Sequence, residues 1–396
     1  MRILIVHNRY RIRAGEDRVF EQESQLLRDA DYDVRTWTVD NQDISEGSLW
    51  DKISLGLNTI WSRWAYHEAL KIIQDFHPDI VHVHNFLPLL SPSIFYACRK
   101  AGVPVVQTIH NYRLGCPAAT FFREGAICEL CLEKNLLQSL LYRCYRQSFI
   151  QTLTVAAMLQ IHRWLGTWTR TVDAYIALTP FMRDKLIQME IPAKKIYIKP
   201  NFIDDIPKIQ HEAKFGEYYL FVGRLSPEKG IHILLEAYQK SNSSYPLVII
   251  GSGELQATVE AAVKANPKIR YLGQQPKEQV KEYMQRAIAL IFPSIWYEGF
   301  PLTILEAYSQ SLPVVCSDIG SVSYAIEDGV TGFTYPAGNE EALKQVLASI
   351  EANPENWLGL KNKVLDSLDD IYFSKKNVHY LLRIYQELID VNFKYF

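Results

Sequence analysis

Tyr219-Leu220-Phe221-Val222-Gly223-Arg224-Leu225-Ser226-Pro227-Glu228-Lys229-Gly230 passes from an uncharged apolar run into a polar loop bounded by two glycines. Ile231 to Lys240 then reads as a helix. An apolar run ended by a glycine suits a strand covered on both faces, as parallel strands are. The same order recurs downstream, at the strand-like runs Leu247–Ile250, Ala289–Phe292 and Val314–Ser317. Upstream it appears at Ile3–Val6, Val34–Val39, Ile80–Val83 and Val103–Thr108. Strand alternating with helix predicts an α/β protein built from βαβ units on parallel sheets.

A chain of 396 residues is too long for one ordinary core, so two domains are expected. The polar segment from Lys199 to Phe215 holds two prolines and marks the boundary, giving domains 1–205 and 206–375. The amphipathic pattern Val378 to Val391 makes 376–396 a helix expected to fold back on the first domain. Two doubly wound domains facing each other would set the C-terminal ends of their strands across a cleft, where open α/β sheets bind ligands.

Composition narrows the partners. Forty-two Lys and Arg against 44 Asp and Glu give a net charge of −2 with no long basic run, so no nucleic-acid partner is expected. The N-terminus enters a strand pattern at once and no run approaches the roughly 18 apolar residues of a spanning helix. The expected location is cytoplasmic. Leu136 to Arg170 mixes Leu, Ile, Phe and Trp with Arg143, Arg146, Arg163 and Arg170, and Leu49 to Ile73 carries three tryptophans. Each reads either as a helix packed on its own domain or as peripheral membrane contact.

The most specific stretch is Phe292-Pro-Ser-Ile-Trp-Tyr-Glu298-Gly299-Phe300-Pro301-Leu302-Thr303-Ile-Leu-Glu306. Pro301 suits the first turn of a helix, which leaves Glu298 in the loop and Glu306 inside the helix. Free amides at that N-terminus suit a diphosphate, and the two carboxylates suit sugar and ribose hydroxyls. The plainer reading is a surface loop with an ordinary helical glutamate. Arg224 and Lys229 offer fixed positive charge to an anionic leaving group without a metal, or else are ordinary loop charges. Gly251-Ser-Gly253-Glu254 is a third, weaker glycine turn.

Together these three motifs closely resemble the retaining glycosyltransferases of family 4, in that family's order and with its typical separations. The resemblance implies the GT-B fold, two Rossmann-like domains facing across a cleft. It implies that Arg224 and Lys229 bind the donor pyrophosphate, that Glu298 meets the transferred sugar and that Glu306 meets the ribose. Gly223, Gly253, Gly299 and the backbone from Phe300 through Pro301 and Leu302 to Thr303 would complete the donor site. In the first half, Gly15-Glu16 stands where the family has a glycine loop, although Ala14 replaces its first glycine. His110, in Thr108-Ile-His-Asn-Tyr112, matches the family's histidine and would contact the donor sugar. His82 and His84 could line the same cleft, but read more readily as core or interdomain residues.

The resemblance also implies same-face transfer with retention, in which the departing phosphate helps deprotonate the acceptor and no cofactor is required. The reaction expected is transfer of a hexose from a nucleotide-diphosphate sugar, UDP-glucose or another UDP-hexose first and GDP-mannose second. The acceptor would be a glycan or a lipid-linked sugar in polysaccharide assembly. The alternatives are a nucleotide-sugar epimerase of the same shape and a non-catalytic sugar-nucleotide-binding scaffold. Retention of Arg224, Lys229, Glu298 and Glu306 together argues against the scaffold.

Cys116, Cys128, Cys131 and Cys144 form a cysteine-rich insertion at 115–145 beside the His110 motif. One Cys-x-x-Cys with two outlying thiols is compatible with a tetrahedral structural zinc. Buried reduced thiols and a disulfide remain open beside it.

Overall fold

The computed structural model describes residues 1–11, 15–44, 47–203, 214–366 and 368–393. The chain forms two compact units. The first comprises Met1–Phe121, Cys128–Asn201 and the C-terminal segment from Ser374, the second Phe202–Phe373 with Phe122–Ile127. The boundary expected at 205/206 lies outside the described residues. Phe122–Ile127, expected within the first domain as part of the 115–145 insertion, groups instead with the second unit.

The first unit holds a six-stranded parallel sheet of β1 (Arg2–Arg9), β2 (Asp33–Asp40), β3 (Ile80–Asn85), β4 (Val105–Ile109), β7 (Ala174–Ala177) and β8 (Ile196–Ile198). Their order is β2-β1-β3-β4-β7-β8. Between β4 and β7 lies the small antiparallel hairpin of β5 (Phe122–Arg123) and β6 (Ala126–Ile127). The second unit repeats the plan with β9 (Tyr218–Val222), β10 (Leu247–Ile250), β11 (Ile269–Tyr271), β12 (Ala287–Phe292), β13 (Val314–Asp318) and β14 (Gly332–Pro336). Here the order is β11-β10-β9-β12-β13-β14, again all parallel. The strand order reverses between β1 and β3 in one sheet and between β9 and β12 in the other, and such switch points are where ligands settle.

Central strands are apolar on both faces because helices cover both faces: Ile3, Leu4, Ile5 and Val6 are buried, as are all six residues of β12. The helix Ser374–Phe393 belongs to the first unit, where Val378, Leu381, Ile384 and Tyr385 join the core of Ile3, Ile5, Phe20 and Ile80. Sequence patterning misses β7, β8, β11, β14 and the β5/β6 hairpin; β8 and β11, of three residues each, are too short to register as a run.

Leu136 to Arg170 is not one helix. It breaks into Leu137–Leu141 and Phe149–Trp164, followed by a π-turn at Thr167–Thr171. Arg143, Arg146 and Gln147 take left-handed backbone angles in the gap, and the Ser148 hydroxyl then accepts from the Gln151 amide to start the longer helix. Leu49 to Ile73 breaks likewise, at Trp61, where Ser62 caps the helix Arg63–Phe76.

Candidate active site

In the second unit the three glycine-bearing loops follow β9, β10 and β12 and are stitched to one another by backbone hydrogen bonds. Gly223 N–H donates to Ile250 O at 3.0 Å, Leu225 N–H to Ser252 O at 2.9 Å and Ile295 N–H to Glu228 O at 2.9 Å. The glycines permit this spacing. Gly230 has a φ of 67°, and a Cβ there would lie 1.8 Å from Pro293 O. Gly251 has a φ of 145°, and its Cβ would lie 1.8 Å from Gly223 O. A Cβ on Gly253 would meet Leu225 O at 2.4 Å.

This stitching brings Lys229 to Glu298 across the β9/β12 switch point, Nζ to Oε1 2.6 Å. Glu298 is buried and its Oε1 also accepts from the Ser294 hydroxyl at 2.8 Å. The Lys229 ammonium lies 5.6 Å from the ring centroids of both Phe292 and Trp296. Of its three N–H donors the carboxylate needs one, so an arriving anion can share the others. Arg224 gives one Nη2 bond to Glu228, at 2.9 Å, and its side chain is 61% exposed. The planar guanidinium therefore keeps a solvent-facing edge with the fork geometry that phosphates prefer.

Gly299 and Phe300 lead into a short helix, Leu302–Tyr308, with Glu306 half-buried at its fifth position. Pro301, expected within the first turn, stands one residue earlier at the N-cap, where Ile304 N–H donates to its carbonyl. Leu302 and Thr303 open the helix. Arg224, Lys229, Gly223, Gly253 and Glu298 are thus gathered around one stitched set of loops. Ser294, which holds the Glu298 carboxylate, escapes sequence reading because a lone serine four residues before a glutamate carries no signal.

In the first unit a recess at the C-terminal ends of β3 and β4 is lined by His84, Asn85, Gln107, His110, Asn111 and Arg113 among others. Gly15 and Glu16 begin the helix Gly15–Asp29 after β1. A Cβ on Gly15 would meet nothing within 4 Å, and Ala14 lies outside the described residues. Asn111 Nδ2 reaches Glu16 Oε2 at 3.4 Å. Burial pushes the Glu16 carboxyl up to about 8, against the opposing pull of the Tyr10 hydroxyl, Arg113 and Asn111.

Behind His110 lies a buried polar network. His110 Nε2 meets His84 Nδ1 at 3.0 Å, with the two rings stacked, and His84 Nε2 lies 3.2 Å from Glu23 Oε1. Lys199 Nζ holds Glu23 Oε2 at 2.9 Å, each side chain 2% exposed. His82 meets the Tyr385 hydroxyl at 2.6 Å and the Thr108 hydroxyl at 2.7 Å. Burial alone would raise the Glu23 carboxyl; Lys199, His84 and His82 overcome it and hold the group well below the usual carboxylate range. Burial, with the neighbouring His84, keeps His110 and His82 well below the usual imidazole range, so both are neutral. Nothing in the sequence marks Glu23 or Lys199 as a site residue, since nothing local distinguishes a helical glutamate or a lysine before a proline.

Among the described residues none of the four insertion thiols is joined in a disulfide; Cys116 and Cys131 are buried, Cys128 and Cys144 half-buried. Burial, then the neighbouring Cys116, Cys144 and Cys128, push the Cys131 thiol up to about 12. Among the described residues, three His, Cys, Asp or Glu ligand atoms come within 4.8 Å of one another at Glu23, His82 and His84, and no three of these sulfurs do so. Among the described residues, six of the twelve non-glycine positions with left-handed backbone lie between 119 and 147, so this segment is irregular and held by its surroundings.

Comparison with known proteins divides the chain at the same place. The family of glycosyl transferases group 1 matches residues 202–364, and glycosyltransferase family 4 matches residues 15–205. D-rhamnosyltransferase WbpZ of Pseudomonas aeruginosa is 29% identical over 212 residues, 50% of this chain and 55% of that protein. O-antigen chain mannosyltransferase B of Escherichia coli is 32% identical over 205 residues, 49% of this chain and 48% of that one. The chain thus spans about half the length of the curated relatives it matches. The crystal structure of Anabaena HepE in complex with UDP-glucose has a TM-score of 0.67 at 16% identity, over 98% of this chain and 100% of that one, a likeness of fold.

Proposed function

Because this chain belongs to the family 4 type of glycosyltransferases with the GT-B fold, we propose that it moves a hexose from a nucleotide-diphosphate sugar to a glycan or lipid-linked acceptor. The observation that carries the reading is the Lys229–Glu298 pair at the β9/β12 switch point, on loops whose glycines fix its geometry. Lys229 and Arg224 take the diphosphate and stabilise it as it leaves. Glu298 accepts from hydroxyls of the transferred sugar, and Glu306 from the ribose. Transfer proceeds with retention, the leaving phosphate drawing the acceptor proton, so that the protein contributes positioning and charge and no metal. UDP-glucose is the first donor to try, in keeping with the complex formed by HepE. GDP-mannose is the second, and a mannosyltransferase stands among the relatives.

The test is a screen of UDP- and GDP-sugars by thermal shift and nucleotide release. Stabilisation by one donor, lost in Arg224→Ala and Glu306→Ala, supports the reading and names the base. A folded protein that no donor stabilises turns the reading toward a non-catalytic scaffold.

A lipid-linked acceptor draws support from the first unit. The packed helices Leu49–Ile60 and Phe149–Trp164 leave Trp50, Ile150 and Trp164 73–78% exposed, with Lys52, Arg143 and Arg146 at the surface nearby. That is the composition of an interfacial surface on an anionic bilayer, and no described helix is long and apolar enough to cross one. Co-sedimentation with anionic but not zwitterionic vesicles, lost in Trp50→Ser/Ile150→Ser, is the expected result. The four cysteines are proposed as a structural zinc site, in which the sulfurs would close to about 2.3 Å from the metal and release their protons. One zinc per purified chain supports this, and its absence from a folded chain refutes it.

A further inference from the structure

His84 Nε2 and Glu23 Oε1 are buried, and among the described residues neither has a well-aligned hydrogen-bond partner. They face each other at 3.2 Å. His82 Nδ1 lies 3.2 Å from the same oxygen, but His84 Nε2 faces only this carboxylate and is satisfied only when a proton lies between the two. Glu23 cannot be the donor, because Lys199 sits 2.9 Å from its other oxygen and favours the carboxylate. The proton therefore lies on His84 Nε2. Neutral His84 then has a bare Nδ1, and the atom 3.0 Å from it, His110 Nε2, must donate. This assigns the second nitrogen of His110. His110 is half-buried in the recess wall, and Nδ1 has no hydrogen-bond partner among the described residues.

The cluster is not a cation cage. Lys199 already balances Glu23, and both nitrogens of His82 are engaged by Tyr385 and Thr108, with Nδ1 also 3.2 Å from Glu23 Oε1. What remains is a chain of donors that converges on the Glu23 carboxylate, His110 to His84 to Glu23 on one side and Lys199 on the other. We propose that Glu23 and His84 are positioning residues that lock His110 in the Nε2–H tautomer, so that it presents Nδ1 to the recess as a hydrogen-bond acceptor. Such an acceptor reads a hydroxyl and rejects a carbonyl or phosphate oxygen, since two acceptors do not bond. If the transferase reading above holds, the group read is a sugar hydroxyl, and its deoxy counterpart leaves Nδ1 unpaired.

The experiment needs no sugar. Histidine 15N shifts and their couplings to ring protons are recorded on the full-length chain at neutral pH, with His110 assigned by its loss in His110→Gln. The expected wild-type result is a single form with Nε2 protonated and Nδ1 bare. In Glu23→Leu/Lys199→Met, which removes both buried charges together, His110 becomes a mixture of tautomers. His84→Phe preserves the stacked ring, removes the acceptor, and gives the same mixture should the double variant fail to fold. A wild-type His110 protonated at Nδ1 overturns the proposal, and so does an unchanged His110 in a folded His84→Phe. Failure of every donor in the sugar screen would sink the transferase reading and leave this result standing.

Discussion

Each unit contains a lysine–glutamate pair, at 2.6 Å for Lys229–Glu298 and 2.9 Å for Lys199–Glu23, and the two pairs do opposite things. Lys229 is 19% exposed, so water screens the pair and an arriving anion can take a share of the ammonium at small cost. Lys199 and Glu23 sit in the interior, each 2% exposed, where an ammonium and a carboxylate are tolerable only when paired. The first pair is available to a ligand, and the second lies behind the wall of the first-unit recess. Burial decides which role the same two side chains play.

The largest effect that distinguishes them is on stability. Glu23→Ala strands the Lys199 ammonium in the interior and is expected to cost about 3–5 kcal/mol, read by urea unfolding. A loss under about 1 kcal/mol, the range of an exposed pair, would break the comparison. Lys229→Ala should show the reverse pattern. Unfolding stability stays within about 1 kcal/mol, while the transfer rate drops roughly 10²- to 10³-fold, as when one charge-stabilising donor is removed. Equal losses of stability in the two variants would mean that the second-unit pair is also structural.

The glycines sharpen the contrast between the units at a smaller scale. Gly230→Ala forces a Cβ into Pro293 O at a left-handed backbone and is expected to cost about 1–3 kcal/mol, with weaker donor binding. Gly15→Ala meets nothing within 4 Å and should change stability by less than about 0.5 kcal/mol. Thermal melts of the two variants side by side check this. A large loss at Gly15 and none at Gly230 would invert the assignment of which loop is tightly stitched.

That asymmetry explains what the sequence discloses. The second-unit site is written in short runs because its parts are consecutive: strand, glycine, cation, glycine in Val222–Gly230, and carboxylate, glycine, proline in Glu298–Pro301. Backbone geometry demands those glycines, so the demand leaves a local trace. The first-unit network assembles Glu23 from a helix, His82 and His84 from β3, Lys199 from the chain after β8 and Tyr385 from the last helix. Only the fold makes them neighbours, and no spacing records it. His82 and His84 were legible as core residues, and the alternation of strand and helix made the α/β class legible. The breaks at Trp61 and at Arg143–Gln147 were not, because a hydrophobic stripe continues through a turn that keeps its face.

The smallest expected effect is a slope rather than a loss, and it lies at Glu16 beside the first-unit recess. Burial raises its carboxyl from 4.5 to about 8 and Asp17 adds to the rise, while Tyr10, Arg113 and Asn111 oppose it. Between those two values the folded chain holds a proton that the unfolded chain has released. Stability from this group is therefore full below about pH 4.5 and declines as the pH climbs to about 8. Glu16→Gln cannot titrate and should lack that decline, so its melting temperature relative to wild type rises from about pH 5 to about pH 8. The sign also bears on function. At neutral pH Glu16 is largely uncharged, so an anion brought to the recess meets a hydrogen-bonding group and no repulsion. In the proposed function the second unit would meet its anion with the cations Arg224 and Lys229, and the first would admit one by burying the charge that would oppose it. Parallel melting curves for wild type and Glu16→Gln across that range would remove this half of the comparison.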